Sequence, residues 1–189
     1  MPPSTQTPKE YLVRERAAQV RSEYVNGRTL AMAGASRRHN LIAGNVFAEV
    51  RARLKGRPCE VYASDMRVKV ERTGLYAYPD VVAVCGEPRF EDAHVDTLTN
   101  PTLVVEVLSE STEARDRGEK FAHYRRLESL AEYVLVAQDR VRVERFAREG
   151  DTWVLTEISD PDGTLVLRSI GCAVPLREVY DRVDFPEGG

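Results

Sequence analysis

Pro101-Thr102-Leu103-Val104-Val105-Glu106-Val107-Leu108-Ser109 is an apolar run of strand length, closed by turn-forming residues at both ends and carrying one carboxylate in its interior. A run of this kind reads as a strand buried on both faces. An ionised side chain left unpaired in such a strand costs several kcal/mol even after relaxation, so Glu106 must meet a cation, a metal or a proton. A second stretch, Tyr78-Pro79-Asp80-Val81-Val82-Ala83-Val84-Cys85-Gly86, repeats the pattern with its acid at the strand entrance. Two acids therefore bracket one predicted sheet.

The chain has 189 residues and is 42% hydrophobic, enough for one well-filled core and short for two. The reading is a single domain over 10–185, with loose polar tails at 1–9 and 186–189. Lys and Arg number 27 against 30 Asp and Glu, for a net charge of -3. This balance excludes a binder that relies on global positive charge, so any phosphate-binding surface must be local. No apolar run approaches the roughly 20 residues that cross a bilayer, and Met1-Pro2-Pro3-Ser4 lacks the charged and apolar regions of a signal peptide. A soluble, cytoplasmic protein is expected, with no membrane partner. Cys59, Cys85 and Cys172 are widely spaced and without CxxC spacing, which predicts reduced, buried thiols. The histidines are equally scattered, so no Cys/His metal cluster is visible.

Along the chain, a short helix is predicted over 11–20, then a hairpin whose turn is Asn26-Gly27. Ser36 caps a longer helix in which Leu41, Ile42, Val46, Val50 and Leu54 recur at helical spacing, stopped by Gly56 and Pro58. Strands are expected at 60–62 and 66–70, followed by the Asp80 strand, a polar loop over 87–100 and the Glu106 strand. The next helix can start at Thr112, or at Asp116 with Glu119 as a capping box; Gly118 favours the later start, which makes Asp116 a cap. Phe121, Tyr124 and Leu127 share its apolar face. Glu132-Tyr133-Val134-Leu135-Val136 is a further buried strand, and strand, helix and strand in this order suggest a crossover unit. Beyond Arg140, alternating residues predict a meander of antiparallel hairpins and a closing helical turn over 174–180.

If the two acid-bearing strands are neighbours, Asp80 and Glu106 converge on a hard cation, which prefers carboxylate, carbonyl and water oxygens. The backbone carbonyl of Val107 can serve as a further ligand, and Lys120, on the following helix, can reach the same pocket. Such a group would hold Mg²⁺ or Mn²⁺ on a phosphate and use the lysine to stabilise developing charge, which is hydrolytic phosphodiester chemistry. Against this stands a plainer reading: Asp80 as a turn acid beside Pro79, and Glu106 as half of a buried ion pair with Lys120.

Tyr78-Pro79-Asp80-Val81-Val82, the run from Asn100 through Glu106 to Thr112, Asp116-Arg117-Gly118-Glu119-Lys120-Phe121, Tyr124-Arg125 and Glu132-Tyr133-Val134-Leu135-Val136 closely resemble the Uma2 family, restriction-endonuclease-like proteins of the PD-(D/E)XK nuclease superfamily. The resemblance implies an α/β (α+β) fold with a restriction-endonuclease-like mixed central sheet flanked by helices, and a divalent-metal site at Asp80 and Glu106. The superfamily places its lysine two residues after the acid, where this chain has Leu108; the resemblance supplies it from the next helix as Lys120. Glu23 matches the acid of the family's first motif, and His39 lies near the start of the long helix, so both are candidate accessory residues. The implied partner is nucleic acid, with DNA favoured, and a homodimer would suit the cutting of two strands. The alternative is a catalytically silent nuclease fold that binds nucleic acid or a protein partner.

Overall fold

Thr7 starts the first helix, earlier than the expected position. The computed structural model describes residues 6–185, so the expected tail residues 1–5 and 186–189 lie outside the described residues. Helix α1 (Pro8–Ala17) is entered through a capping box: Glu10 N–H donates to Thr7 Oγ1 at 3.3 Å and Thr7 N–H donates to Glu10 Oε2 at 2.8 Å. Proline at the first helical position costs no bond there, so Pro8 belongs to the helix and not to a tail. Strands β1 (Ser22–Val25) and β2 (Arg28–Ala31) form the expected hairpin, with Asn26 at φ 48° and Gly27 at φ 84°, the left-handed pair that a two-residue turn requires.

Helix α2 (Arg37–Leu54) begins where predicted, with Ser36 Oγ accepting from His39 N–H at 3.1 Å, and buries Ile42, Val46, Val50 and Leu54 along one stripe. Ser36→Ala is expected to cost about 1 kcal/mol of stability, the usual worth of such a cap, read as a shifted urea midpoint at unchanged slope.

The chain continues through β3 (Cys59–Ala63), β4 (Arg67–Val70), β5 (Leu75–Ala77), β6 (Val81–Cys85), β7 (Thr97–Leu98) and β8 (Leu103–Val107). A helix over 113–124 then consists of α3 (Glu113–Arg115), a π turn (Asp116–Lys120) and α4 (Phe121–Tyr124). It starts at the earlier of the two predicted positions, so Asp116 is no cap but an interior residue of a widened turn, whose carbonyl accepts from the Tyr133 hydroxyl at 2.9 Å. Strands β9 (Glu132–Val136), β10 (Val143–Glu149), β11 (Thr152–Ile158), β12 (Thr164–Leu167) and β13 (Cys172–Pro175) follow, and α5 (Leu176–Val179) closes the fold.

A six-stranded sheet in the order β11-β10-β9-β8-β6-β3 forms the centre. It is mixed: β8 and β9 run parallel, as the crossover helix demands, and the other neighbours are antiparallel. One face packs on α2, β13 and α5. The other packs on a five-stranded sheet, in the order β2-β1-β5-β4-β7, on the 113–124 helix through Tyr124, and on Leu127 just beyond it. Coverage on both faces explains why β8 and β9 read as continuous apolar runs. The expected C-terminal meander is realised as the β10–β11 hairpin plus a separate β12–β13 pair. Among the described residues, no helix is long and apolar enough to cross a membrane.

The cysteine expectation is corrected. Register places Cys59 directly opposite Cys85 on β3 and β6, with Cα atoms 4.0 Å apart, and the two are joined as a disulfide; Cys172 is free and buried. Their separation of 26 residues hides in the sequence what strand pairing brings together.

Candidate active site

Register decides the meeting of the two acids. Strand β6 pairs with β8 as Val81↔Val105 and Val82↔Val104, so Asp80 stands one step beyond the last pair, at the level of Glu106. Alternation puts Glu106 on the face of Val104 and Leu108, and Asp80 on the face of Val82 and Val84, which is the same face. Leu108 is itself buried in that core, so the position two residues after Glu106 offers no room for a lysine.

Asp80 is fixed from both sides. Its Oδ2 accepts the Val107 N–H at 2.7 Å and lies 3.3 Å from His39 Nε2. The His39 imidazole is held charged more readily than usual: burial opposes its charge, but the Asp80 carboxylate and the Val107 carbonyl outweigh it. The Val107 carbonyl thus lies beside the His39 ring, next to Asp80.

Glu106 is 3% exposed and Lys120 6% exposed. Lys120 Nζ lies 3.1 Å from Glu106 Oε1, 2.9 Å from Glu23 Oε1 and 3.2 Å from Asp116 Oδ1. Burial alone would lower the lysine pKa, yet these three acids raise it above its ordinary value. The Tyr124 hydroxyl donates to the same Glu106 oxygen at 3.3 Å. Glu23, the candidate from the first motif, also receives the Tyr78 N–H at 3.4 Å and pairs with Arg115. Although burial pushes its carboxyl up, Lys120 and Arg115 hold it below the usual value.

Glu106 behaves in the opposite way. Burial raises its carboxyl pKa well above the ordinary range, Lys120 opposes this, and Asp116, Asp80 and Glu23 raise it further. Asp116 is also raised, chiefly by burial, although Lys120 opposes this. The cluster thus gathers Glu23, Asp80, Glu106 and Asp116 around Lys120, Arg115 and His39, an arrangement short of positive charge.

The structure unites Glu23, His39, Asp80, Glu106, Val107 and Lys120. It adds Arg115, and with it Asp116 and Tyr124, which the sequence reading made a helix cap and part of an apolar face. Asp116 and Lys120 are four apart on one helix, a spacing visible in the sequence once the helix starts at residue 113. Several other arginines are engaged elsewhere: Arg117 pairs with Glu113 and Glu144, Arg53 with Glu49, and Arg57 donates to the Ile170 and Gly171 carbonyls.

Among the described residues, no three Asp, Glu, His or Cys side chains already form a metal-holding group. The donor set nevertheless fits Mg²⁺ or Mn²⁺. Among the described residues, Asp80 Oδ1 and Glu106 Oε2 receive no hydrogen bond, and a Mg²⁺ site typically uses one or two carboxylates with waters and substrate phosphate filling the rest.

Comparison with known proteins agrees with this architecture. Residues 8–176 match the Uma2 family, described as "Putative restriction endonuclease". The "Uncharacterized protein sll1609" of Synechocystis sp. is 39% identical over 153 residues, covering 80% of this chain and 86% of that protein. A second Synechocystis protein, "Uncharacterized protein slr1290", is 34% identical over 180 residues, covering 95% and 93%. The fold is shared with the crystal structure of a "putative nuclease belonging to DUF820" from Anabaena variabilis, at a TM-score of 0.69 and 14% identity, covering 85% of this chain and 89% of that one. With its fold, its Asp80 and Glu106 strands and the extent of the match in agreement, the chain belongs to the Uma2 family.

Proposed function

We propose that the protein is a metal-dependent endonuclease that hydrolyses phosphodiester bonds of nucleic acid, DNA in preference, with Asp80, Glu106 and the Val107 carbonyl holding Mg²⁺ or Mn²⁺. The observation that carries this reading is the pairing of β6 with β8, which puts two carboxylates with unbonded oxygens on one face beside a buried lysine. A divalent ion bound there would supply Lewis acidity to the phosphate and lower the pKa of a water.

The chain's own residues set the stage for that chemistry. The Val107 amide and His39 fix the Asp80 carboxylate, leaving its second oxygen for the ion. Lys120, pinned by three acids, keeps an ammonium within 3.1 Å of Glu106, where it stabilises negative charge building on phosphate oxygens. Glu23 and Asp116 orient that ammonium, and Arg115 neutralises Glu23. Lys120 thereby takes the place closed to residue 108.

The test is cleavage of labelled DNA and RNA by the purified chain. Products that require Mg²⁺ or Mn²⁺ and vanish in Asp80→Asn are expected. Cleavage indifferent to that substitution would overturn the assignment, and ion binding without cleavage of either polymer would mark a silent nuclease fold.

A further inference from the structure

Strand β11 is the outer strand of the six-stranded sheet, and it exposes two apolar side chains. Val154 and Leu155 are 41% and 50% exposed and, being consecutive, face opposite sides of the sheet. Edge strands that must stay solitary carry charged side chains, proline or a bulge, and β11 has a single charge, Glu157. The strand Thr152–Ile158 has no proline or lysine, and its register with β10 is unbroken from Glu149↔Thr152 to Val143↔Ile158.

The main chain shows which groups are left over. Arg148 N–H of β10 donates to the Ala131 carbonyl at 2.8 Å, and the carbonyl of Arg142, just before β10, accepts Ala137 N–H at 2.9 Å, so the main-chain groups of the even-numbered residues face β9. The odd-numbered residues of β10 therefore face β11, and their partners there are Thr152, Val154, Thr156 and Ile158. By alternation, Trp153, Leu155 and Glu157 aim their N–H and C=O groups away from β10.

We propose that this edge is a homodimer interface, in which β11 of a second copy adds antiparallel about a two-fold axis through Leu155. A second copy is the occupant because the strand is complementary to itself in this register. Leu155 meets its own counterpart, Val154 meets the counterpart of Thr156, and every outward main-chain group of Trp153, Leu155 and Glu157 finds one of the same set. Charge agrees as well. The counterpart of Glu157 arrives beside Trp153, over whose ring the Arg148 guanidinium lies at 4.6 Å. The two six-stranded sheets become one, and the exposed apolar side chains on both faces are covered. This assembly is independent of the chemistry proposed for the acids.

Sedimentation equilibrium on the full chain tests it, with Leu155→Pro as the decisive variant. The Leu155 N–H makes no bond to β10, so proline there removes only an outward donor and is tolerated on an edge strand. A dimeric wild type, with amides of Trp153, Leu155 and Glu157 protected from hydrogen exchange, and a monomeric variant of unchanged circular dichroism are expected. Should Leu155→Pro fail to fold, Leu155→Lys serves instead and is also expected to be monomeric. A wild type monomeric at every accessible concentration, or a dimer that survives the substitution, overturns the proposal.

Discussion

Glu106→Gln is expected to abolish divalent-ion-dependent cleavage, by at least about 10²–10³-fold, while leaving the metal-free protein at least as stable as the wild type at neutral pH, by a margin that grows as pH rises above about 4.3. The two halves of this result come from one cause. The raised Glu106 carboxyl means that the folded chain keeps a proton there over a window in which the unfolded chain, with a carboxyl near about 4.3, has released it. The native state then binds more protons than the unfolded state, so stability falls as pH rises through that window. Glutamine cannot titrate and escapes the fall. Lys120 keeps Glu23 and Asp116 as partners, so no charge is stranded. If Glu106 served only as half of a structural ion pair, its removal would cost up to about 3–5 kcal/mol. Urea unfolding at pH 5 and pH 8 in the presence of a chelator separates the two outcomes, and a variant clearly weaker than wild type at pH 8 contradicts the prediction.

Lys120→Ala is expected to lose both activity and stability, the latter by about 3–5 kcal/mol near neutral pH, because Glu23, Glu106 and Asp116 then share a dry site without their common cation. The pH dependence carries a definite sign. The Lys120 pKa is raised in the fold, so its contribution is complete below its ordinary value and lost only as pH climbs through the raised one. The Glu23 carboxyl is lowered in the fold despite its burial, so its contribution is present above its ordinary value and lost as pH falls through the lowered one. Both contributions coexist at neutral pH, where the variant should differ most from wild type. In acid, the carboxyls protonate and the difference should shrink. Thermal unfolding from pH 4 to pH 8 measures this, and a constant offset would show that the ammonium does not neutralise the acids.

Much of this arrangement could be read from single residues. Glu106 announced itself because a carboxylate inside Leu103-Val104-Val105-Val107-Leu108 demands a partner, and burial on both faces of the sheet is what made the demand real. Ser36, Gly56 and the Asn26-Gly27 turn act locally, so their effects on helix and hairpin were visible without the fold. Asp116 was hidden by Gly118: a glycine suggested a helix start at 116, but the helix tolerates it within a π turn and begins three residues earlier. The Cys59–Cys85 pair and the Glu23–Arg115 contact are products of strand pairing and helix docking between distant segments, which spacing cannot reveal. Likewise, the sequence carries no sign that β12 and β13 pair apart from the main sheet.

Calorimetric titration of Mn²⁺ into the metal-free chain tests the joint grip of Asp80 and Glu106 most directly. It should show one ion bound per chain, with an affinity that weakens toward acid pH because the raised Glu106 carboxyl must be ionised to bind. Binding should disappear in Asp80→Asn and in Glu106→Gln. Heats absent from the wild type, or wild-type affinity retained in both variants, would mean that these two carboxylates do not hold an ion.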